Sequence, residues 1–304
     1  MTQIPYISAA DLDALGLTSD DIITSIETAL QGVTHSAPKA VILPGDGRYM
    51  MAALACDEDV LTVKTVVVNP DNPANGLPQI NGLVTMLDAS TGLPVAILDG
   101  NWITAVRTAG LSATAARHLA NPTSETIGFI GTGVQARSHL DAFSDMFPLK
   151  HAKIFGRGQA NIDTLTAACA AKNITTEIAP KGQDAIEDVD LIVTSITATT
   201  APAPFLDASK MKKGAFAAVT DLGTPWIHDH LSALDQLTID DLAQEAALPN
   251  KLCHPQDVTG DLAQLVSGAI PKRTDPQQRT AFVFRGHALG DLAVSALAWK
   301  RFNP

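Results

Sequence analysis

The stretch Thr126-Ile-Gly-Phe-Ile-Gly131-Thr132-Gly133-Val134-Gln135-Ala136 constrains this chain more than any other, because it joins a short, mostly apolar run directly to a G-x-G-x-x-A turn. Such a run reads as a buried parallel strand. Two glycines at this spacing let the backbone turn tightly and approach a pyrophosphate at the start of the next helix. A helix-like segment does follow, from Val134 to about Met146. Strand, turn and helix in that order point to a dinucleotide site.

The surrounding sequence has the rhythm this site requires. Strands are predicted at Thr126 to Ile130, Ala152 to Phe155, Leu191 to Thr194 and Gly214 to Val219, alternating with helical segments near Val134 to Met146, Ile162 to Ala171 and Gln183 to Glu187. That alternation implies an α/β doubly wound parallel sheet of the Rossmann type. The first third differs. Leu12, Leu15, Ile22, Ile23, Ile26 and Leu30 recur at helical spacing, with Ser19 a plausible helix start. Lys39 to Leu43, Tyr49 to Leu54, Leu61 to Val68, Ile80 to Leu87 and Val95 to Leu98 then read as strands, and the short link Asp88 to Gly92 favours antiparallel pairing. Gly100 to Leu119 is predicted helical up to Asn121-Pro122, and Ala288 to Lys300 forms a final helix expected to pack back on the first domain. The expected organisation is residues 1–120 with 288–304 as an α+β substrate-binding and dimerisation domain, and 121–287 as the nucleotide-binding domain.

A length of 304 residues suits two such domains, and 46% hydrophobic with 17% charged residues is a globular composition. The net charge of −11 repels nucleic acid and anionic lipid, so an anionic ligand must be met by a few local cations. No apolar run approaches the roughly 18 residues of a membrane span, and Met1-Thr-Gln-Ile-Pro5 lacks signal-peptide character, so a cytoplasmic location is expected. Cys56, Cys169 and Cys253 form no C-x-x-C pair and read as small buried hydrophobes or inert thiols. His228-Asp-His230 would place two imidazoles on one strand face, but without further ligands at matching spacing no metal is expected, and a solvated loop after Asp221 is the better reading.

The run Asp99-Gly-Asn-Trp-Ile-Thr104-Ala-Val-Arg107-Thr108-Ala-Gly-Leu-Ser112, followed by Gly131-Thr-Gly-Val-Gln-Ala136, resembles the ornithine cyclodeaminase/mu-crystallin family. Pro38-Lys39, Met51-Ala-Ala, Val63-Lys64, Asn69-Pro-x-x-Pro73-x-x-Gly-Leu-Pro78 and Thr280-Ala-Phe…Gly286 fall in the family's order, over nearly the whole chain. The resemblance implies a homodimer formed through the N-terminal sheet, NAD(P) in the Rossmann domain, and chemistry at the carbon bearing the nitrogen of a small α-imino or α-amino acid.

The resemblance also assigns roles. Lys39, Lys64 and Arg107 match basic positions that grip the substrate carboxylate, with Arg107 capable of a bidentate contact. Lys39 stands where cyclodeaminases commonly have arginine, which keeps charge but loses the fork. Asp221 matches the catalytic aspartate that exchanges a proton with the substrate nitrogen, with Lys64 beside it as the second catalytic candidate. The segment after it, Leu222-Gly-Thr-Pro-Trp226, departs from the family's proline-glycine-lysine pattern, and an Asp there could cap a turn instead. Gly131, Thr132, Gly133, Val134, Gln135 and Ala136 would hold the pyrophosphate, with Thr108 and Thr194 nearer the nicotinamide half or the phosphates.

At the end of the second Rossmann strand, Gly156-Arg157 offers a cation where an NAD-selective protein usually has an acid, so NADP(H) is favoured over NAD(H). Asp163 would invert this if it reached the ribose, but it falls in the next helix. Arg285 replaces a residue beside the substrate in relatives, which suggests either a contact to a polar or second acidic substrate group or a phosphate-facing or surface arginine. His287 reads as a satisfied structural histidine. The expected activity is NADPH-dependent reduction of a small ketimine of the Δ1-pyrroline-2-carboxylate type. The alternatives are a cyclodeaminase that retains NAD and a crystallin-like binding protein.

Overall fold

The computed structural model describes residues 4–197 and 203–303, which divide into two compact units: one comprises residues up to Gly110 together with His287 onward, the other Leu111–Gly286.

In the first unit, the helical stretch read from the sequence is two helices, α1 (Ala9–Ala14) and α2 (Ser19–Gln31). Each starts with a capping box, Ser8 with Asp11 and Thr18 with Asp21, which satisfies the otherwise open N–H groups of the first turn. Gly16, at φ +61°, turns the chain between them. The strands are β1 (Tyr6–Ile7), β2 (His35–Ser36), β3 (Ala40–Ile42), β4 (Tyr49–Cys56), β5 (Val60–Val68), β6 (Ile80–Asp88) and β7 (Pro94–Asp99). They form one sheet in the order β1-β7-β6-β5-β4-β2, with β3 also on β4, and β4 to β7 make the antiparallel meander.

Burial alternates along β5. Val60, Thr62, Lys64, Val66 and Val68 are buried while Leu61, Val63, Thr65 and Val67 are not, as period-two geometry demands of a sheet with one covered face. The cover is α2 and the C-terminal helix (Ala288–Phe302), which pack on each other and, in the case of the C-terminal helix, on β4 and β5. Helix α3 (Gly100–Leu119) follows β7 directly, with Asp99 Oδ1 accepting from Asn101 N at 2.9 Å and Trp102 N at 2.8 Å. The division between the units falls within this helix.

The second unit holds β8 (Thr126–Ile130), β9 (His151–Phe155), β10 (Thr175–Ile178), β11 (Leu191–Thr194), β12 (Phe216–Val219), β13 (Gln236–Ile239), β14 (Val258–Asp261) and β15 (Thr280–Val283). All pair parallel, in the order β10-β9-β8-β11-β12-β15-β13-β14. Helices α4 (Val134–Met146), α5 (Gln159–Ala171), α6 (Gly182–Ile186), α7 (Leu242–Ala247) and α8 (Leu262–Ser267) connect them. β11, β12, β13 and β15 are buried at every position and β8 at all but its first, which is why β8, β11 and β12 read as apolar runs without alternation. The β8 segment starts mid-sheet: the chain proceeds outward through β9 and β10, then returns to the other side of β8 at β11. A reversal of this kind opens a ligand crevice at the carboxyl ends of the two central strands. This is an α/β fold, one unit a doubly wound Rossmann sheet and the other α+β. No helix among the described residues is long and apolar enough to cross a membrane.

Candidate active site

The first unit gathers its cations around one acid. Lys64 projects from the covered face of β5, 2% exposed, and its Nζ donates to Asp291 Oδ1 at 2.7 Å. Arg107, on α3, brings its Nε to 3.1 Å from the same oxygen, an ion-pair contact without hydrogen-bond alignment. Asp291 stands in the first turn of the C-terminal helix, where the helix dipole favours a negative charge. Burial pushes its carboxyl up, but Lys64 and Arg107 together outweigh that and hold it below the usual range. Lys64 moves the other way: burial first, then the Arg107 charge, bring its ammonium down to about 8, against the pull of Asp291. Lys39 also acts on both Lys64 and Asp291, so the three sequence-predicted cations share one electrostatic environment.

The cluster is unsaturated. Arg107 Nη1 is buried with no hydrogen-bond partner among the described residues, and so is the hydroxyl of Thr108. A buried guanidinium donor left open costs free energy unless something fills the place, and a planar oxyanion is the partner its geometry suits. Lys64 and Arg107 both pair with the single carboxylate of Asp291, which leaves positive charge in excess at that contact.

The second unit supplies the glycine turn and Asp221. Gly131 leaves β8 at φ +98°, and a Cβ there would lie 2.7 Å from the backbone oxygen of Ser195, the residue after β11. The two strand ends are tied by Ser195 N donating to Ile130 O at 2.8 Å. Gly133 is the N-cap of α4, which has no side-chain cap, and a Cβ on Gly133 would meet nothing within 4 Å. Open space at an uncapped helix start fits a phosphate group. Ala136 is buried, Gln135 half-buried and Val134 exposed, and Thr132 lies buried within the turn. Arg157 is exposed just beyond β9. Asp163 sits on α5, where its Oδ1 accepts from Gln159 Nε2 at 2.7 Å.

Asp221 lies two residues beyond β12 and is 4% exposed. Its Oδ1 accepts from Thr194 Oγ1 at 2.9 Å and its Oδ2 from Ile196 N at 3.0 Å. Burial pushes the carboxyl up to about 6, although these hydrogen bonds pull it down. A buried acid that titrates near neutrality can hold a proton and release it. Thr194 is fully engaged here: its hydroxyl donates to Asp221 and accepts from Trp226 Nε1 at 3.3 Å, so its contacts orient the acid. The departing segment after Asp221 makes a tight turn, with Leu222 at φ +61° and Gly223 at φ +71°, which buries Trp226 against Thr194.

One residue behaves differently from its sequence readings. Arg285 reads from the sequence as a substrate contact or as a phosphate-facing or surface arginine, but it is half-buried, its Nε donates to Glu245 Oε2 at 2.7 Å and its Nη2 to the Asn250 carbonyl, contacts that commit its guanidinium to α7 and the following loop. His228 and His230 sit in a 3-10 turn after Asp221, in keeping with the loop reading and not with a shared strand face, and His230 Nδ1 is 3.0 Å from Asp207. His287 has the structural part expected of it, capping the C-terminal helix by accepting from Leu289 N at 3.1 Å. Asp291 escaped the sequence reading altogether. Its signal was present, as the one acid in an otherwise small and apolar helix from Ala288 to Trp299.

A ketimine reductase mu-crystallin of Rattus norvegicus is 31% identical over 260 residues, 84% of this chain and 80% of the relative. A Δ1-pyrroline-2-carboxylate reductase of Bacillus cereus is 27% identical over 266 residues, 83% of this chain and 80% of the relative. The fold matches the solved structure of Thermococcus litoralis Δ1-pyrroline-2-carboxylate reductase in complex with NADH and L-proline, with a TM-score of 0.86 at 22% identity over 97% of this chain and 96% of that one. The model of the ornithine cyclodeaminase/mu-crystallin family matches residues 8–303, and the chain belongs to that family.

Proposed function

We propose that the protein is an NAD(P)H-dependent oxidoreductase acting on C–N bonds, reducing a small α-imino acid to the amino acid, with a cyclic ketimine of the Δ1-pyrroline-2-carboxylate type as substrate. The observation that carries this reading is the buried, unsaturated cation cluster: Arg107 Nη1 open, Lys64 alongside, both fixed by Asp291. It suits a substrate carboxylate. The relatives that reduce ketimines and pyrroline carboxylate support the same substrate class.

In this reading Lys64, Arg107 and the more exposed Lys39 bind the carboxylate, which fixes the adjacent carbon. Asp221 holds a proton below about pH 6 and shares it with the substrate nitrogen, which makes the imine carbon electrophilic. Thr194 and Ile196 N orient Asp221 for that exchange. The turn Gly131 to Ala136 and the uncapped start of α4 hold the pyrophosphate, and Thr108 offers its open hydroxyl to the cofactor. When bound, the nicotinamide supplies the hydride. Arg157, without an acid before it, favours NADPH. Arg285 has no part in this scheme, because Glu245 occupies it.

A second copy of the chain fits the uncovered sheet face of the first unit, where Ile42, Met50, Leu54, Val67 and Leu83 are exposed. Adjacent apolar residues on one sheet face are a surface that association would bury.

The test is the absorbance of NADPH and NADH followed against a panel of cyclic and linear ketimines. Faster oxidation of NADPH with a cyclic imino acid supports the reading. Tight NADPH binding with no acceleration by any imine leaves a binding protein instead, and product formation without net cofactor turnover indicates a cyclodeaminase.

A further inference from the structure

We propose that Thr132 is a specificity-determining residue for the cofactor, because it bars any side chain at position 156 and so keeps a ribose-binding carboxylate from the end of β9. This rests on the nucleotide-binding reading of the glycine turn. Arg157 alone would be a weaker discriminator, since a cation beside an acid can still admit both cofactors. The steric pair removes the acid outright.

A Cβ built on Gly156 would lie 2.7 Å from Thr132 Cγ2, 2.8 Å from Thr132 Oγ1 and 3.3 Å from Ile162 Cγ1. The first two are closer than real Cβ atoms come. The backbone is not what demands glycine here, because Gly156 is not among the residues at positive φ. The obstacle is the threonine. Both branches of its β-carbon press on the same point, so a turn about χ1 to another staggered well always leaves one branch in one of the two occupied positions. Retreat of the whole side chain is also blocked, since Thr132 is 6% exposed and sits between Gly131, fixed by Phe155 O at 2.9 Å, and the first turn of α4.

The consequence concerns the ribose. In a doubly wound fold the acid that binds the adenosine ribose hydroxyls stands at the end of the second strand, which is β9 here. With that place filled from the glycine turn, the loop Arg157-Gly158 is left to meet the ribose. α5 begins after it without a side-chain cap, so the open N–H groups and the guanidinium both favour a 2′-phosphate. An acid at 156 becomes possible only when the residue at 132 is cut back to a single β-carbon.

The experiment combines Gly156→Ala, Gly156→Asp, Thr132→Ala and the two double variants, in the full-length protein. Thermal melting without cofactor reads the steric pair. Gly156→Ala should lower Tm by about 4 °C or more, and Thr132→Ala added to it should restore most of that loss. Binding of NADPH and NADH, followed by quenching of tryptophan fluorescence, reads the specificity. Gly156→Asp alone should weaken both cofactors by about tenfold or more through displacement of the turn, whereas T132A/G156D should bind NADH in preference to NADPH. Melting of Gly156→Ala at the wild-type temperature, or failure of Thr132→Ala to rescue it, overturns the steric pair. Rescue in melting with no shift toward NADH in T132A/G156D overturns the role in specificity. A wild-type protein that prefers NADH overturns the NADPH reading and this inference with it, and is recognised before any variant is made.

Discussion

Asp291→Asn should cost the protein more at acidic than at alkaline pH, and the pattern follows from the pairing of Asp291 with Lys64 and Arg107. The amide keeps the shape of the carboxylate but removes the negative charge that, among the described residues, pairs with both buried cations. Breaking a buried ion pair by removing one partner costs about 3–5 kcal/mol, because the remaining charge stays desolvated. This site has one way to relax. Asp291 is the main influence that raises the Lys64 ammonium, which already stands at about 8, so its loss moves Lys64 lower still. Between the variant's Lys64 value and about 8, the wild-type native state holds a proton that the variant has released. The variant's deficit therefore shrinks as pH rises through that window and is constant above it. Denaturant unfolding of wild type and Asp291→Asn at pH 6 and pH 9 measures this. A deficit of about 3 kcal/mol or more at pH 6, clearly smaller at pH 9, is expected. Adding Lys64→Met should remove much of the pH dependence. A deficit equal at both pH values, or none, would refute the coupling.

Other consequences are independent of that cluster's stability. Asp221→Asn should lower kcat for imine reduction by about a hundredfold or more while NADPH affinity stays within about twofold, and equal turnover would remove the proton-transfer role. In the wild type, kcat for reduction should fall as pH rises through about 6, because Asp221 must be protonated, and the reverse oxidation should rise over the same range; a flat profile in both directions contradicts the assignment. Arg107→Lys keeps the charge but loses the fork, so KM for the imino acid should rise by about tenfold, and an unchanged KM would show that the open Nη1 does not meet the carboxylate. Val67→Lys with Leu83→Lys on the uncovered sheet face should convert a dimer to monomers in analytical ultracentrifugation, whereas a monomeric wild type would leave that face without a partner.

The Rossmann unit was readable from the sequence because its signals are local. β8 and its glycine turn adjoin α4 in the chain, and fully buried parallel strands are apolar at successive positions. The short strands β1 and β2 were not readable, since two residues carry no period. The candidate site could be drawn up from the sequence where the family pattern names a residue type, as at Lys64, Arg107 and Asp221, all three of which are buried. It was not legible where a residue matters through a partner far along the chain. Asp291 meets Lys64 across 227 positions, and Glu245 takes Arg285 across 40. Spacing could not foresee either. Glycine at 156 was visible as the absence of an acid, but its cause lies in Thr132, on the neighbouring strand's turn.

Transfer of deuterium from NADPH labelled on the reactive face of C4 tests the central claim most directly. With Δ1-pyrroline-2-carboxylate and the wild-type protein, the account predicts product labelled at the α-carbon, one deuterium per NADPH consumed, with transfer abolished or greatly slowed in Arg107→Leu. Unlabelled product, or label arriving undiminished without Arg107, would contradict it.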